Sequence, residues 1–280
     1  MPQDRLLHEL FEAQAARTAR APEAVALVYE GAQLSYGELN ESANRLAHHL
    51  RTLGVGPDVI VGLCVERSFE MIVALLGVLK AGGAYLPIDP DYPRDRIAYM
   101  IADAAPALVL TQEHLRERLP ETITTLRLDA DWSEIAKDSA ANPAPRATSQ
   151  NLAYVIYTHP ALRESPKASA SSHQRSRREP SSPRMGDCFE MCAPRRCFPT
   201  RRFAVLRRLH PRIVDPLLRG GSVVLYPAGR IEAHALAELL WRDGVTTIAL
   251  PPFVQPCRRG GADALRSLRG ASSSAERRFR

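Results

Sequence analysis

Residues 59–86 read VIVGLCVERSFEMIVALLGVLKAGGAYL, and this stretch decides the fold. Residues 59–65 are a short apolar run without polar alternation, as a strand covered on both faces requires. Residues 68–80 form an apolar run of helical length, and Gly82 and Gly83 follow it, where glycine accepts the backbone turn that ends a helix. Residues 84–86 begin a second strand. Strand, helix and strand in this order predict a βαβ unit and therefore parallel pairing.

Working outward, the same grammar repeats. Leu6, Leu7, Leu10, Phe11 and Ala13 fall on one face of a helix. Residues 24–29 and 33–36, separated by Glu30-Gly31, predict a hairpin. Ser35 and Glu38 have the spacing of a capping box, which opens a helix whose Leu39, Ala43, Leu46 and Leu50 face one way until Gly54. Pro93 starts a helix over 93–104, as proline suits a first turn. Residues 107–111 and 125–128 are short strands, residues 142–149 a polar linker, and residues 152–157 a further strand. The prediction is an α/β fold of mostly parallel sheets flanked by helices, with right-handed crossovers.

Composition sets the limits. The chain has 280 residues, 45% hydrophobic and 24% charged, as expected of a globular protein. It shows no signal-like N-terminus and no apolar run of membrane-spanning length, so a cytoplasmic protein with no membrane partner is expected. Five cysteines without regular spacing predict reduced thiols. The net charge of +6 is local: residues 159–214 hold 13 Lys and Arg against 4 Asp and Glu, which leaves −3 for the rest. That stretch has no interleaved aromatic pattern, and no specific nucleic-acid partner is expected. It also holds seven prolines and loses apolar periodicity. Residues 159–214 and 255–280 are therefore expected to be irregular, with regular structure returning at 222–226, 231–241 and 245–250.

Three strings carry a family resemblance: LSYGEL at 34–39, LKAGGAYLPIDPDYP at 79–93 and LAYVIYT at 152–158. In this order they resemble the opening motifs of the adenylation domains of nonribosomal peptide synthetases, within the adenylate-forming ligases. LLRGGSVVLYP at 217–227 and GVTTIALPP at 244–252 resemble later segments of the same domain. The resemblance implies a partial N-terminal subdomain of an AMP-binding enzyme. It implies ATP and Mg²⁺ as cofactors of the intact family, an amino acid as substrate and a phosphopantetheine carrier domain as partner. The implied chemistry is attack of the amino acid's carboxylate on the α-phosphate of ATP. Other readings are a fragment of an acyl-activating AMP-dependent ligase and a non-catalytic α/β binding protein.

In the family LAYVIYT leads into a phosphate-gripping loop, S-G-S-T-G-x-P-K-G. Glycines let backbone N–H groups approach phosphate, while hydroxyls and a lysine meet its charge. Here the chain reads THPALRESPKAS from Thr158. Only Thr158, the first residue of the ATP phosphate loop, carries over. No catalytic residue is assigned, and the chain as translated is expected to be catalytically incompetent.

The expectation is that the missing motif lies in another frame. Back-translating residues 159–169 with degenerate codons and starting at each third base allows S-G-S-T-G-K-P-K-G-V. Residues 202–212 read from each second base allow A-S-L-S-F-D-A-S with Glu three positions on, compatible with the family's next motif, whose aspartate would meet the substrate's α-amino group. Residues 270–279 in the third-base frame allow V-V-V-G-G. The chain is accordingly expected to divide into an N-terminal part of the adenylation domain (1–158), an apparent out-of-frame segment (159–214), a continuation (215–254) and a degraded tail (255–280).

Other candidates carry plainer explanations. Cys188, Cys192 and Cys197 with His173 or His210 offer no C-x2-C and no H-x3–5-H pair, so no metal site is expected. His48-His49, late in a helix, suit the negative end of its dipole. Gly220-Gly221 reads as a turn, and Cys64 as a small apolar core residue.

Overall fold

A computed structural model describes residues 5–18, 24–158, 167–174, 202–205, 214–229, 232–245 and 247–249. The elements among them are α1 (Leu7–Thr18), β1 (Val25–Tyr29), β2 (Ala32–Ser35), α2 (Tyr36–Thr52), β3 (Ile60–Cys64), α3 (Phe69–Ala81), β4 (Ala84–Pro87), α4 (Arg94–Ala104) and β5 (Leu108–Thr111). A 3₁₀ turn over Glu113–Arg118 follows, then β6 (Thr125–Arg127), α5 (Trp132–Ile135), β7 (Leu152–Thr158) and β8 (Lys167–Ser172). The remainder is β9 (Arg202–Val205), α6 (Val214–Leu218), β10 (Ser222–Leu225), α7 (Ala233–Arg242) and β11 (Thr247–Ala249).

The strands form two sheets, one ordered β11-β9-β10-β1-β2 and the other β6-β5-β3-β4-β7-β8. Pairing is parallel except for the β1–β2 hairpin and the β7–β8 pair. The α/β expectation therefore holds. Helix α2 lies against β1 and β2, α3 against β3 and β4, and the two helices pack on each other, so they form the layer between the sheets. The core runs through that layer, with Leu27 and Val223 from one sheet and Val61, Leu63, Tyr85 and Leu110 from the other. On the far side of the larger sheet, α4 buries Ile97 and Met100 against Cys64, Leu86 and Val109. Alternate residues of one strand thus enter different cores, which is why these strands read as continuous apolar runs.

Local chemistry accounts for the boundaries. The side chain of Ser35 accepts from the N–H of Glu38, and Ser35 N–H donates to Glu38 Oε2 at 2.9 Å, completing the capping box that starts α2. Gly82 ends α3 with φ +99, a left-handed conformation that costs any residue with a Cβ about 1–2 kcal/mol. The expected hairpin is present, and Gly220 has φ +78 in the expected turn.

Three short elements escaped the sequence reading: the 3₁₀ turn, α5 and α6. Two more fall inside the range 159–214 that was expected to be irregular. β8 is KASASS, small and hydroxyl residues with no apolar alternation. It forms because β7 offers a free edge, and residues 152–158 and 167–172 pair along their lengths. β9 is RFAV, an apolar trio within a basic run, held between β10 and β11. Residues 255–280 lie outside the described residues.

The helix layer tolerates no bulk at Gly77. A Cβ there would stand 2.8 Å from Leu46 Cδ2 and 3.1 Å from Leu46 Cβ, across the α2–α3 contact. Gly77→Val is expected to lower unfolding stability by about 1–3 kcal/mol, as overpacked cores do. Gly56→Ala, at a position with nothing within 4 Å, serves as the neutral control in the same urea titration.

Candidate functional site

Strands β3, β4, β5 and β7 run parallel, so their carboxyl ends share one rim of the larger sheet. The connection leaving β3 passes through α3 on the inner face, and the one leaving β4 passes through α4 on the outer face. Connections that depart to opposite faces open a crevice at the strand ends, the usual ligand position in open α/β sheets. Around it lie residues 65–68 after β3, residues 88–93 after β4 and Thr158 at the end of β7.

Thr158 is the last residue of β7, opposite Lys167 in register with β8. The chain therefore leaves the rim at Thr158 and rejoins it beside the same strand at Lys167, with eight residues between. The start of β7 is fixed from Asp58, whose carboxylate accepts from Leu152 N–H at 2.8 Å and from Asn151 Nδ2 at 2.7 Å. Its far end is fixed by Tyr157, whose hydroxyl donates to the Asp103 carboxylate on α4. Burial and then Asp103 push the Tyr157 hydroxyl above its ordinary pKa, so it stays a donor. The Tyr157 ring also meets Tyr99 edge to face, 6.5 Å between centroids.

Three arginines near the rim are bound to the protein. Arg67, buried just past β3, donates from Nη2 to Gly229 O at 2.8 Å and lies 5.7 Å from the Tyr226 ring centroid, tying the two sheets together. Arg118 grips the carbonyl of Pro90 at 3.0 and 2.7 Å. Arg96 stacks on Tyr92 at 4.0 Å.

The other sequence candidates lie apart from this rim. His49 Nδ1 meets Asp138 Oδ2 at 2.9 Å and His48 Nε2 meets Ala141 O at 3.0 Å, so both pin the 136–147 segment onto α2. Cys64 is buried. Cys188, Cys192, Cys197 and His210 lie outside the described residues, among which no group of three or more His, Cys, Asp or Glu could hold a metal. His173 is fully buried against α1, although it falls in the stretch 159–214 expected to be irregular. Tyr157, Asp103 and Arg67 were not singled out from the sequence. Tyr157 stands inside a recognised string, whereas its partner is 54 residues distant and carries no local signal.

Two sheets around a helical layer, the larger with the carboxyl ends of its parallel strands along one rim, define an open α/β class. Residues 11–158 match the AMP-binding enzyme family, and the chain belongs to it. It is 48% identical over 155 residues to gramicidin S synthase 2 of Brevibacillus brevis, covering 55% of this chain and 3% of that protein. Tyrocidine synthase 3 of Brevibacillus parabrevis is 40% identical over 256 residues, 88% of this chain and 4% of its own length. Crystal structures of the nonribosomal peptide synthetase FmoA3 superpose with a TM-score of 0.73 at 36% identity, over 86% of this chain and 25% of FmoA3. Its AMPPNP-bound form gives 0.72. The fold matches the N-terminal subdomain of such adenylation domains. The chain spans only a few per cent of the synthetases it matches in sequence. Among the described residues no helix is long and apolar enough to cross a membrane.

Removing the Tyr157 hydroxyl tests the anchoring of the rim. Tyr157→Phe is expected to cost about 1 kcal/mol, since Asp103 is exposed and regains water. Asp103→Asn, which keeps an acceptor, should cost less in the same denaturation series.

Proposed function

We propose that this chain is a piece of an amino-acid-activating adenylation domain that keeps the scaffold of the phosphate loop but not the loop itself. One observation carries the reading. β7 and β8 bring Thr158 and Lys167 into register at the rim, and the residues between them are HPALRESP, which contain no glycine and a single hydroxyl. A phosphate cradle needs bare backbone N–H groups and hydroxyls. The third-base frame of the same codons allows S-G-S-T-G-K-P-K-G-V, which supplies both.

The remaining support is consistent with a shift of frame. The family match ends at residue 158, where the first run of in-frame motifs stops. The excess positive charge lies in 159–214, as misread GC-rich codons produce. Our reading divides the chain into adenylation-domain residues 1–158, an out-of-frame segment from 159 to about 214, a continuation over 215–254 and a tail of lost frame. The intact parent domain would use ATP and Mg²⁺, take an amino acid and deliver it to a phosphopantetheine carrier in the cytoplasm. The residues present here do not fit the triphosphate and its metal. The eight-residue link lacks the cradle, and Arg67, Arg96 and Arg118 at the rim are engaged by protein groups.

The nucleotide sequence across codons 150–220 is the direct test. A coding strand that cannot spell the loop in any frame overturns the proposal. The purified chain is expected to show no amino-acid-dependent pyrophosphate exchange and no saturable binding of an ATP analogue. Replacing residues 159–168 with SGSTGKPKGV is expected to introduce analogue binding, measurable by calorimetry.

A further inference from the structure

Away from the rim, the described core contains two buried imidazoles whose enclosed ring nitrogens have no partner. His8 on α1 is 4% exposed and His173, just past β8, is 0% exposed. Their rings meet edge to face, with centroids 6.0 Å apart and an interplanar angle of 77°. His8 Nδ1 and both His173 ring nitrogens face no hydrogen-bonding group. The backbone around His173 is held firmly, its N–H donating to Asn151 O at 3.1 Å and that of Gln174 to Ser149 O at 2.9 Å.

The charges around the pair are mostly positive. Arg51 comes from α2 and Lys80 from α3, and both oppose a charge on His8. Arg146 lies near Arg51 on the loop before β7. The carboxylate of Glu12 on α1 is engaged by Lys80 Nζ at 2.5 Å. Glu9 is engaged by the N–H of Leu6 at 2.8 Å.

We propose that His8 and His173 form an acid-labile clasp, which docks α1 and the end of β8 onto the helix layer while both rings are neutral and lets that corner open when they are protonated. An imidazolium has two N–H donors and demands acceptors for both. The closed corner supplies none to His8 Nδ1 or to either nitrogen of His173, and a charge on one ring stands beside the other ring and the cations. Protonation and docking therefore exclude each other. Burial, then the neighbouring His173 and the cations, push His8 down to about 3, and burial pushes His173 down to about 4, from an ordinary 6.5. Because both folded values lie below the unfolded one, the clasp is fully stable above pH 6.5. It weakens as pH falls from 6.5 towards 4 and then 3. Each proton taken up on opening raises the open population about tenfold per pH unit, or about a hundredfold for the pair.

The test is hydrogen exchange of the full chain between pH 6.5 and 4, corrected for the intrinsic exchange rate at each pH. Peptides spanning α1 and residues 167–174 are expected to open about ten- to a hundredfold more per pH unit, with those from α4 changing far less. In the double variant His8→Leu, His173→Leu this pH slope is expected to vanish. A wild-type slope of zero, or an equal slope in the variant, overturns the clasp. Imidazole NMR of the wild-type chain gives a second readout that needs no variant to fold. Two rings still neutral at about pH 5.5 support the clasp, and a ring titrating near its ordinary value in the folded protein refutes it.

Discussion

Helix α3 has no side left for water. From Met71 to Ala81 every residue is buried, because α2 covers one face and β3 and β4 cover the other. A helix that is apolar all round is stable only in such a position. Its one charged residue in that run, Lys80, is 1% exposed, and its ammonium is met by Glu12 at 2.5 Å and Asn40 Oδ1 at 3.0 Å. Burial lowers its pKa, and Glu12 opposes that drop. α1 and α2 are therefore tied to the end of α3 through one desolvated cation, and the carbonyls of Lys80 and Ala81 are capped in turn by Arg51. Both sheets take their relative position from this layer.

From that layer follows the separation between holding a site and performing its chemistry. The rim of the larger sheet is set by α3 inside, α4 outside and the Asp58 and Asp103 contacts at the two ends of β7. None of these groups belongs to a phosphate loop. The frame of the site thus stands on residues before Thr158, and the reacting groups would stand after it. A break at that point spares the architecture and removes the chemistry. For this reason the family is evident in a chain that we read as inactive.

The sequence was most legible where one physical signal dominated. The 59–86 run gave strand, helix and strand to within a residue or two, because burial on both faces leaves continuous apolar strings and glycine ends the helix. Ser35 and Glu38 gave the start of α2 because a capping box is local. Elements made by tertiary context left no such trace. α5 is a four-residue turn over Trp132–Ile135, and β8 has no apolar pattern at all. Thr158, expected just past a strand over 152–157 as the first residue of the phosphate loop, is the last residue of that strand. The contacts that steady it, from Tyr157 to Asp103 and from Leu152 to Asp58, join residues too far apart in the chain for spacing to reveal.

The pairing of β8 with β7 has a consequence for how this fold meets error. An edge strand recruits its neighbour through N–H and C=O groups, which every residue except proline carries. β8 consists of Lys, Ala and Ser, and it docks in antiparallel register with side chains of almost no apolar content. The edge reads backbone and is nearly indifferent to the message written in side chains. A sheet margin is accordingly the part of an α/β protein that depends least on side-chain identity, while a phosphate loop depends on the identity of each residue.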